Sequence, residues 1–180
     1  MLRGRELESA ARGIEQFVRD AVGSAGRNGI AIGISGGLDS SVTAALCARA
    51  VGPERVTGFF LPEREGPDED AGDARHVADR LGIELVERDI TGALDDLGVY
   101  DFVLSRIPGE TARAVIVRVF YGLRGLFSGV DPFVDALEGS GNVHVARASA
   151  GFKVRHRMRM VALFFEAERR GLLVAGAANR

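Results

Sequence analysis

The residue types best suited to chemistry gather in one stretch, Gly33-Ile34-Ser35-Gly36-Gly37-Leu38-Asp39-Ser40-Ser41. It follows the apolar run Ile30-Ala31-Ile32 and precedes residues spaced as a helix. Adjacent Gly36 and Gly37 let a backbone pass close to a ligand and accept positive φ. Ser35, Ser40 and Ser41 carry hydroxyls able to donate to phosphate oxygens. A strand-to-helix turn adds converging N–H groups and the partial positive charge of a helix N-terminus. The combination suits the grip of a phosphate chain. Asp39 alone repels phosphate, and its presence makes sense where Mg²⁺ bridges it to a polyphosphate. The competing structural reading is a tight turn with serine caps, but such a turn does not need paired glycines, three hydroxyls and an acid together. No GKS or GKT is present, and Gly33 and Gly36 are wrongly spaced for GxGxxG.

The elements that must position this stretch follow from periodicity. Residues 5–22 have helical spacing, residues 30–34 read as a buried strand and residues 40–51 as a helix stopped by Gly52-Pro53. Residues 56–61 form a second strand, 62–72 a charged loop, 74–81 a helix and 83–86 a third strand. The spacing further predicts an amphipathic helix over 111–127, a hairpin over 133–147 around Gly139-Ser140-Gly141-Asn142, a helix over 153–170 and a fourth buried strand over 172–175. Strands alternating with helices make an α/β fold, with a mainly parallel central sheet between helical layers. Ligands in such sheets lie beyond the carboxyl ends of the strands, where the glycine-serine stretch falls.

Other candidates are weighed against ordinary structural roles. On a helical wheel Arg157 falls among Val154, Met158, Val161, Phe164 and Phe165. A guanidinium there must meet an anion or a structural ion pair, because an unpaired buried charge is costly. Arg155 and Arg159 lie together on the opposite edge, as a solvated or interface stripe would. Cys47 reads as a small core residue, His76 as a helix-surface residue, His144 as part of the hairpin and His156 as a helix start. Asp68, Glu69, Asp70 and Asp73 form an acidic cluster that reads as a solvated loop bordering the predicted site.

The composition bounds the function. A chain of 180 residues, 46% of them hydrophobic, suits one domain with a substantial core. A net charge of −2 without blocks of like charge offers no case for nucleic acid or a membrane surface as partner. The single cysteine excludes an internal disulfide and a CxxC site. There is no apolar run long enough for a membrane span and no apolar signal region at the start. The simplest expectation is a cytoplasmic protein.

SGGLDS resembles the SGGxDS signature of the N-type ATP pyrophosphatases. Three longer stretches are similar to NAD synthetases within that group: residues 33–62 with their Gly-Pro-Glu-x-Val turn and following Leu-Pro, residues 70–83, and residues 152–180 with an RxRM helix start. The resemblance implies a Rossmann-like three-layer sandwich of the adenine nucleotide α-hydrolase type, formed by residues 1–180 as one domain with 99–147 as a lid or insertion. It implies a ligase of NAD biosynthesis, in which ATP, Mg²⁺ and ammonia amidate deamido-NAD to NAD, releasing AMP and pyrophosphate. ATP would be held by Gly33, Ile34, Ser35, Gly36, Gly37, Leu38, Asp39, Ser40, Ser41, Leu61 and the position of Ala177. Catalysis would centre on Asp39 and Ser40, with Asp39 as the metal ligand. Arg157 aligns with the family's deamido-NAD-contacting arginine, and Arg159 is counted with it as substrate-binding. A homodimer is implied, with ammonia free or delivered by a partner. Ala177 stands where the family usually has an ATP-contacting threonine, and Glu65-Gly66 where relatives often carry serines. Family members continue past the position of Arg180, so the expectation is a domain truncated at its C-terminus. The alternatives are another ATP pyrophosphatase that adenylates a different carboxylate and an ATP-binding module without catalysis.

Overall fold

The computed structural model describes residues 4–64, 69–101 and 143–176. The expected helix over 111–127, the 133–142 part of the expected hairpin, Glu65, Gly66, Asp68 and Ala177 lie outside the described residues. The chain divides into two compact units, residues 1–91 with 159–180, and residues 92–158.

The first unit is built on a four-stranded sheet in the order β3-β2-β1-β4, all neighbours parallel. The strands are β1 (Gly29–Gly33), β2 (Val56–Phe60), β3 (Glu84–Glu87) and β4 (Leu172–Ala175). β1 and β2 are runs of apolar residues because both of their faces are covered. Ile30, Ile32, Ile34, Val56 and Phe60 point to one face, where α1 (Gly4–Ser24), α2 (Leu38–Val51) and α3 (Glu69–Leu81) contribute Val22, Ala44, Cys47, Ala74 and Ala78 to a shared core. Each fully buried branched side chain there contributes roughly 1.5–3 kcal/mol. The other face is covered by the end of a long helix, α5 (Val143–Arg170), after the short α4 (Thr91–Asp96). Leu163 lies 4.0 Å from where a Cβ on Gly33 would stand, and the Arg170 guanidinium sits 5.6 Å from the centre of the Phe59 ring. Helices on both faces of a parallel sheet are the three-layer α/β architecture expected. α2 stops where expected, at Gly52 with φ +93° and its N–H bonded to Ala48 O at 3.0 Å.

Four expectations are corrected. α3 starts at Glu69, so Glu69, Asp70 and Asp73 are helical rather than part of a loop. Residues 143–147 are the first turn of α5 rather than a hairpin arm, so His144 is helical and His156 lies well inside the helix. Once a helix is nucleated, adding residues is favourable, and the alanine-rich run that follows carries it back past the β-branched Val143 and Val145. β4 is half-buried rather than buried, because it is an edge strand of this sheet. The buried side of α5 is not the one marked by its apolar residues. Val161, Phe164 and Phe165 are exposed by 62%, 49% and 57%, and Arg157 is exposed, whereas Leu163, Glu166 and Ala167 are buried. The sheet face beneath explains the choice. It presents Thr57 and Glu84 as well as Phe59, and the polar side of α5 has partners there: Thr57 donates to Glu84 at 3.2 Å, and Arg170 donates to both Glu84 oxygens at 3.0 and 3.1 Å. Buried Glu166 accepts from Arg88 and Arg169, and the Arg169 hydrogen bond, more than the charges of Arg169 and Arg88, holds its carboxyl below the usual range despite burial.

In the second unit, Leu94, Val99 and Tyr100 are buried, the Arg155 guanidinium lies 5.7 Å from the Tyr100 ring centre, and Phe152 and His156 meet edge to face at 4.7 Å.

Candidate nucleotide site

The strand order places β1 between β2 and β4. The chain leaves β1 toward β2 and β3, and returns on the other side to β4. The carboxyl ends of β1 and β4 therefore form the topological switch point, where the loops diverge and leave a crevice. The glycine-serine stretch starts at the last residue of β1 and runs into α2.

Its conformation comes from the local sequence. Gly36 adopts φ +76°, which L side chains rarely take. Gly37 is extended, φ −72° and ψ 159°, and is the residue before the helix, where no side chain caps α2. The amides of Leu38, Asp39 and Ser40 precede the first intrahelical bond, Ser41 N to Gly37 O at 3.1 Å. They are oriented donors at the positive end of a helix dipole.

The hydroxyls take up the structural role of the competing reading, bonding within the turn. Ser40 and Ser41 both donate to Gly37 O, at 3.0 and 2.8 Å. Ser40 Oγ also accepts from Ser35 N at 3.3 Å and lies 3.3 Å from Ser35 Oγ, while Ser35 Oγ accepts from Gly37 N at 3.4 Å. A hydroxyl has one proton to donate, so Ser40 and Ser41 here brace the turn and leave the amides facing outward. The bonds among Ser35, Gly37 and Ser40 are long for their type and can exchange for better ones. Asp39 is exposed in the first turn of α2, beside these amides.

Two neighbouring segments close around the loop. Asp73 of α3 rests on Gly36: a Cβ there would stand 2.5 Å from Asp73 Cβ and 3.5 Å from Ala74 N. Ala74 is fully buried, so α3 is held by the core at this point. On the β2 side, Leu61 is buried and its carbonyl accepts from Arg159 Nε at 3.1 Å. Leu61 and Ser35 each lie two residues beyond the paired Phe59 and Gly33, so half-buried Arg159 sits at the strand exit next to the loop. The exits of β2 and β3 are tied together in turn. Arg64 N donates to Thr91 Oγ1 at 2.9 Å, and Thr91 N to Asp89 at 2.6 Å. The bonds from Thr91 hold the Asp89 carboxyl below its ordinary range.

The predicted residues from Gly33 to Ser41 thus come together, and Leu61 and Arg159 lie beside them. Arg157 is exposed on α5, and Ala177 lies outside the described residues. Cys47 is core, as expected, its thiol pushed up to about 11 by burial. The contact of Asp73 with Gly36 was not evident from sequence. Its only signal was an acid at the start of a helix following the loop that borders the site. Among the described residues, no group of three or more His, Cys, Asp or Glu side chains could hold a metal ion by itself.

A family model described as NAD synthase matches residues 10–99. The NH₃-dependent NAD⁺ synthetase of Thermotoga neapolitana is 32% identical over 182 residues, covering 100% of this chain and 61% of its own length. That of Thermotoga maritima is 34% identical over 166 residues, covering 91% and 57%. The chain therefore spans about three fifths of the length of these curated relatives. The crystal structure of NAD⁺ synthetase from Burkholderia pseudomallei superimposes with a TM-score of 0.63 at 22% identity, over 99% of this chain and 64% of that one. At that identity the likeness speaks for the fold.

Proposed function

The chain belongs to the NAD synthase family, and from that premise we propose that it is a ligase that amidates deamido-NAD with ammonia at the expense of ATP. The observation that carries this reading is the uncapped start of α2 at the switch point, with Gly36 at φ +76° and three adjacent amides in front of it.

The polyphosphate of ATP lies against the amides of Leu38, Asp39 and Ser40, supported by the helix dipole. Gly33 and Gly36 carry the backbone to that point without side chains, and Ile34 turns its side chain into the core, so none of the three fills the cradle. Ser35, Ser40 and Ser41 exchange their internal bonds for phosphate oxygens as these arrive. The carboxylate of the pyridine ring of deamido-NAD attacks the α-phosphorus, and the bond to the pyrophosphate oxygen breaks. Ammonia then adds to the acyl adenylate, and AMP leaves with the bonding electrons. The chain need supply no nucleophile. It orients the groups and stabilises the charge that gathers on the leaving pyrophosphate, which amides aimed at one point do without reorganisation. Arg159 at the exit of β2 and Arg157 on α5 are the cations assigned to the dinucleotide.

Mg²⁺ fits this donor set. The ion is commonly held by one or two carboxylates plus substrate phosphates and water, and Asp39 is an exposed carboxylate beside the amides. Bound there, it would neutralise charge on the polyphosphate. The reaction is assigned to the cytoplasm; among the described residues no helix is long and apolar enough to cross a membrane. A homodimer is supported by the exposed apolar flank of α5, Met160, Val161, Phe164 and Phe165. Residues 99–147 are assigned as a lid or insertion in one nucleotide domain.

The test is formation of pyrophosphate and NAD by the 180-residue chain with ATP, Mg²⁺, ammonium and deamido-NAD. Both products are expected, and Asp39→Ala is expected to abolish them. ATP binding with neither product would overturn the reading in favour of a binding module.

A further inference from the structure

We propose that Asp73 is a specificity-determining residue of the phosphate loop, favouring metal-complexed over metal-free polyphosphate. The inference rests on the assignment of residues 33–41 as the polyphosphate site.

The argument begins with packing. Gly36 has no room for a side chain because Asp73 Cβ occupies that place, 2.5 Å from where a Cβ would be. The carboxylate of Asp73 is one bond from this contact, so a unit negative charge stands against the turn of the cradle. The contact is firmly placed. Ala74 and Ala78 anchor α3 in the core with 0% and 2% exposure, while Gly36 is fixed between β1 and α2. Among the described residues, Asp73 has no hydrogen bond or ion pair to neutralise it, and it is exposed. It is therefore not needed to hold α3 or the loop by pairing. Asp39 stands in the first turn of α2, so a second carboxylate borders a loop otherwise built for anions.

Such an arrangement weakens binding of a free polyanion by like-charge repulsion. The repulsion falls when a divalent cation travels with the polyphosphate, because the complex carries less negative charge and the cation is attracted to both carboxylates. Asp73 then acts on the ratio of the two affinities, whereas a residue that merely braced the loop would act on both alike.

The test is calorimetric binding of inorganic pyrophosphate to the full chain in EDTA and in Mg²⁺. Wild type is compared with Asp73→Asn, Asp73→Ala and Asp73→Glu. Removal of the charge in the Asn and Ala variants is expected to tighten metal-free binding, on the order of tenfold for one nearby unit charge at a solvent-facing site. Affinity in Mg²⁺ is expected to change by less than about threefold, because the cation offsets most of the repulsion. Asp73→Glu keeps the wild-type ratio. Equal weakening in both conditions, or no change in either, would overturn the inference. Wild type that fails to bind pyrophosphate even in Mg²⁺ would sink the polyphosphate assignment, and this inference with it.

Discussion

At the amino end of the sheet the connections are tied to distant parts of the chain, whereas at the carboxyl end of β1 the loop is tied mainly to itself. Arg55 Nε donates to Asn28 O at 2.9 Å, and Asn28 N to Gly171 O at 2.9 Å. Arg27 grips Glu168 with two bonds, at 3.0 and 2.9 Å. Gly29 passes so close that a Cβ would stand 2.2 Å from Arg55 O. The glycine-serine loop instead is bonded among its own serines and glycines, at 2.8 and 3.0 Å to Gly37 O and at 3.3–3.4 Å elsewhere, and no side chain caps α2. The difference shows a division of labour. Long-range bonds at the amino end hold the β1–β2 and β1–β4 pairs in register. The carboxyl end of β1 is left with local bonds that can be exchanged without unfolding the sheet.

Gly29→Ala should separate the two ends most strongly. The new methyl meets a backbone carbonyl in a strand pair that cannot shift cheaply, with an expected loss of about 3 kcal/mol. Urea denaturation measures it, and a loss below that of Gly36→Ala would break the comparison. Glu166→Gln should come next, with a loss of about 2 kcal/mol at pH 7, because it removes the charge that Arg88 and Arg169 bind. The Glu166 pKa is lowered on folding, so this stabilisation is present above the ordinary carboxylate pKa of ~4.3 and is lost as pH falls through the folded value. The gap between variant and wild type should therefore narrow in denaturation series taken below that pH.

Gly36→Ala should cost less stability, roughly 1–2 kcal/mol for a side chain at positive φ. The clash at Gly36 is also the milder one, 2.5 Å to Asp73 Cβ against 2.2 Å to a backbone carbonyl oxygen at Gly29. The same variant should lose at least about tenfold in ATP affinity, because the amides move with the turn. A variant with its stability lost and its ATP affinity intact would reverse the roles assigned to the two ends. The smallest effect is on Cys47, between the two ends in the core. With its thiol pushed up to about 11, it should label with a thiol reagent at pH 8 at least ~100-fold more slowly than in urea. Fast labelling of the folded chain would mean that the core opens readily beneath the loop.

Much of this was legible from local patterns. An apolar run bounded by Gly29 and Gly33 marked β1, a second ending in Leu61-Pro62 marked β2, and Gly52-Pro53 marked the stop of α2. The start of α2 was legible because glycine, serine and aspartate have few other reasons to follow a buried strand. The start of α5 reads as a hairpin arm from the Gly139-Ser140-Gly141-Asn142 turn signal, and helix extension won over it. The orientation of α5 was misread because its apolar residues outnumber its polar ones on one side. The decisive partners, Glu84, Arg88 and Phe59, are far away in sequence.

The sequence by itself determined which residues form the parallel strands and where the glycine-serine turn into α2 lies, because strand burial, helix stopping and positive-φ turns depend on neighbours in the chain. Only the tertiary structure decided that α5 buries Leu163, Glu166 and Ala167 and exposes Phe164 and Phe165. It alone decided that the serine hydroxyls brace the turn and that Asp73 rests on Gly36. Those outcomes depend on which surfaces and donors meet once the chain has closed, and sequence spacing carries no information about that.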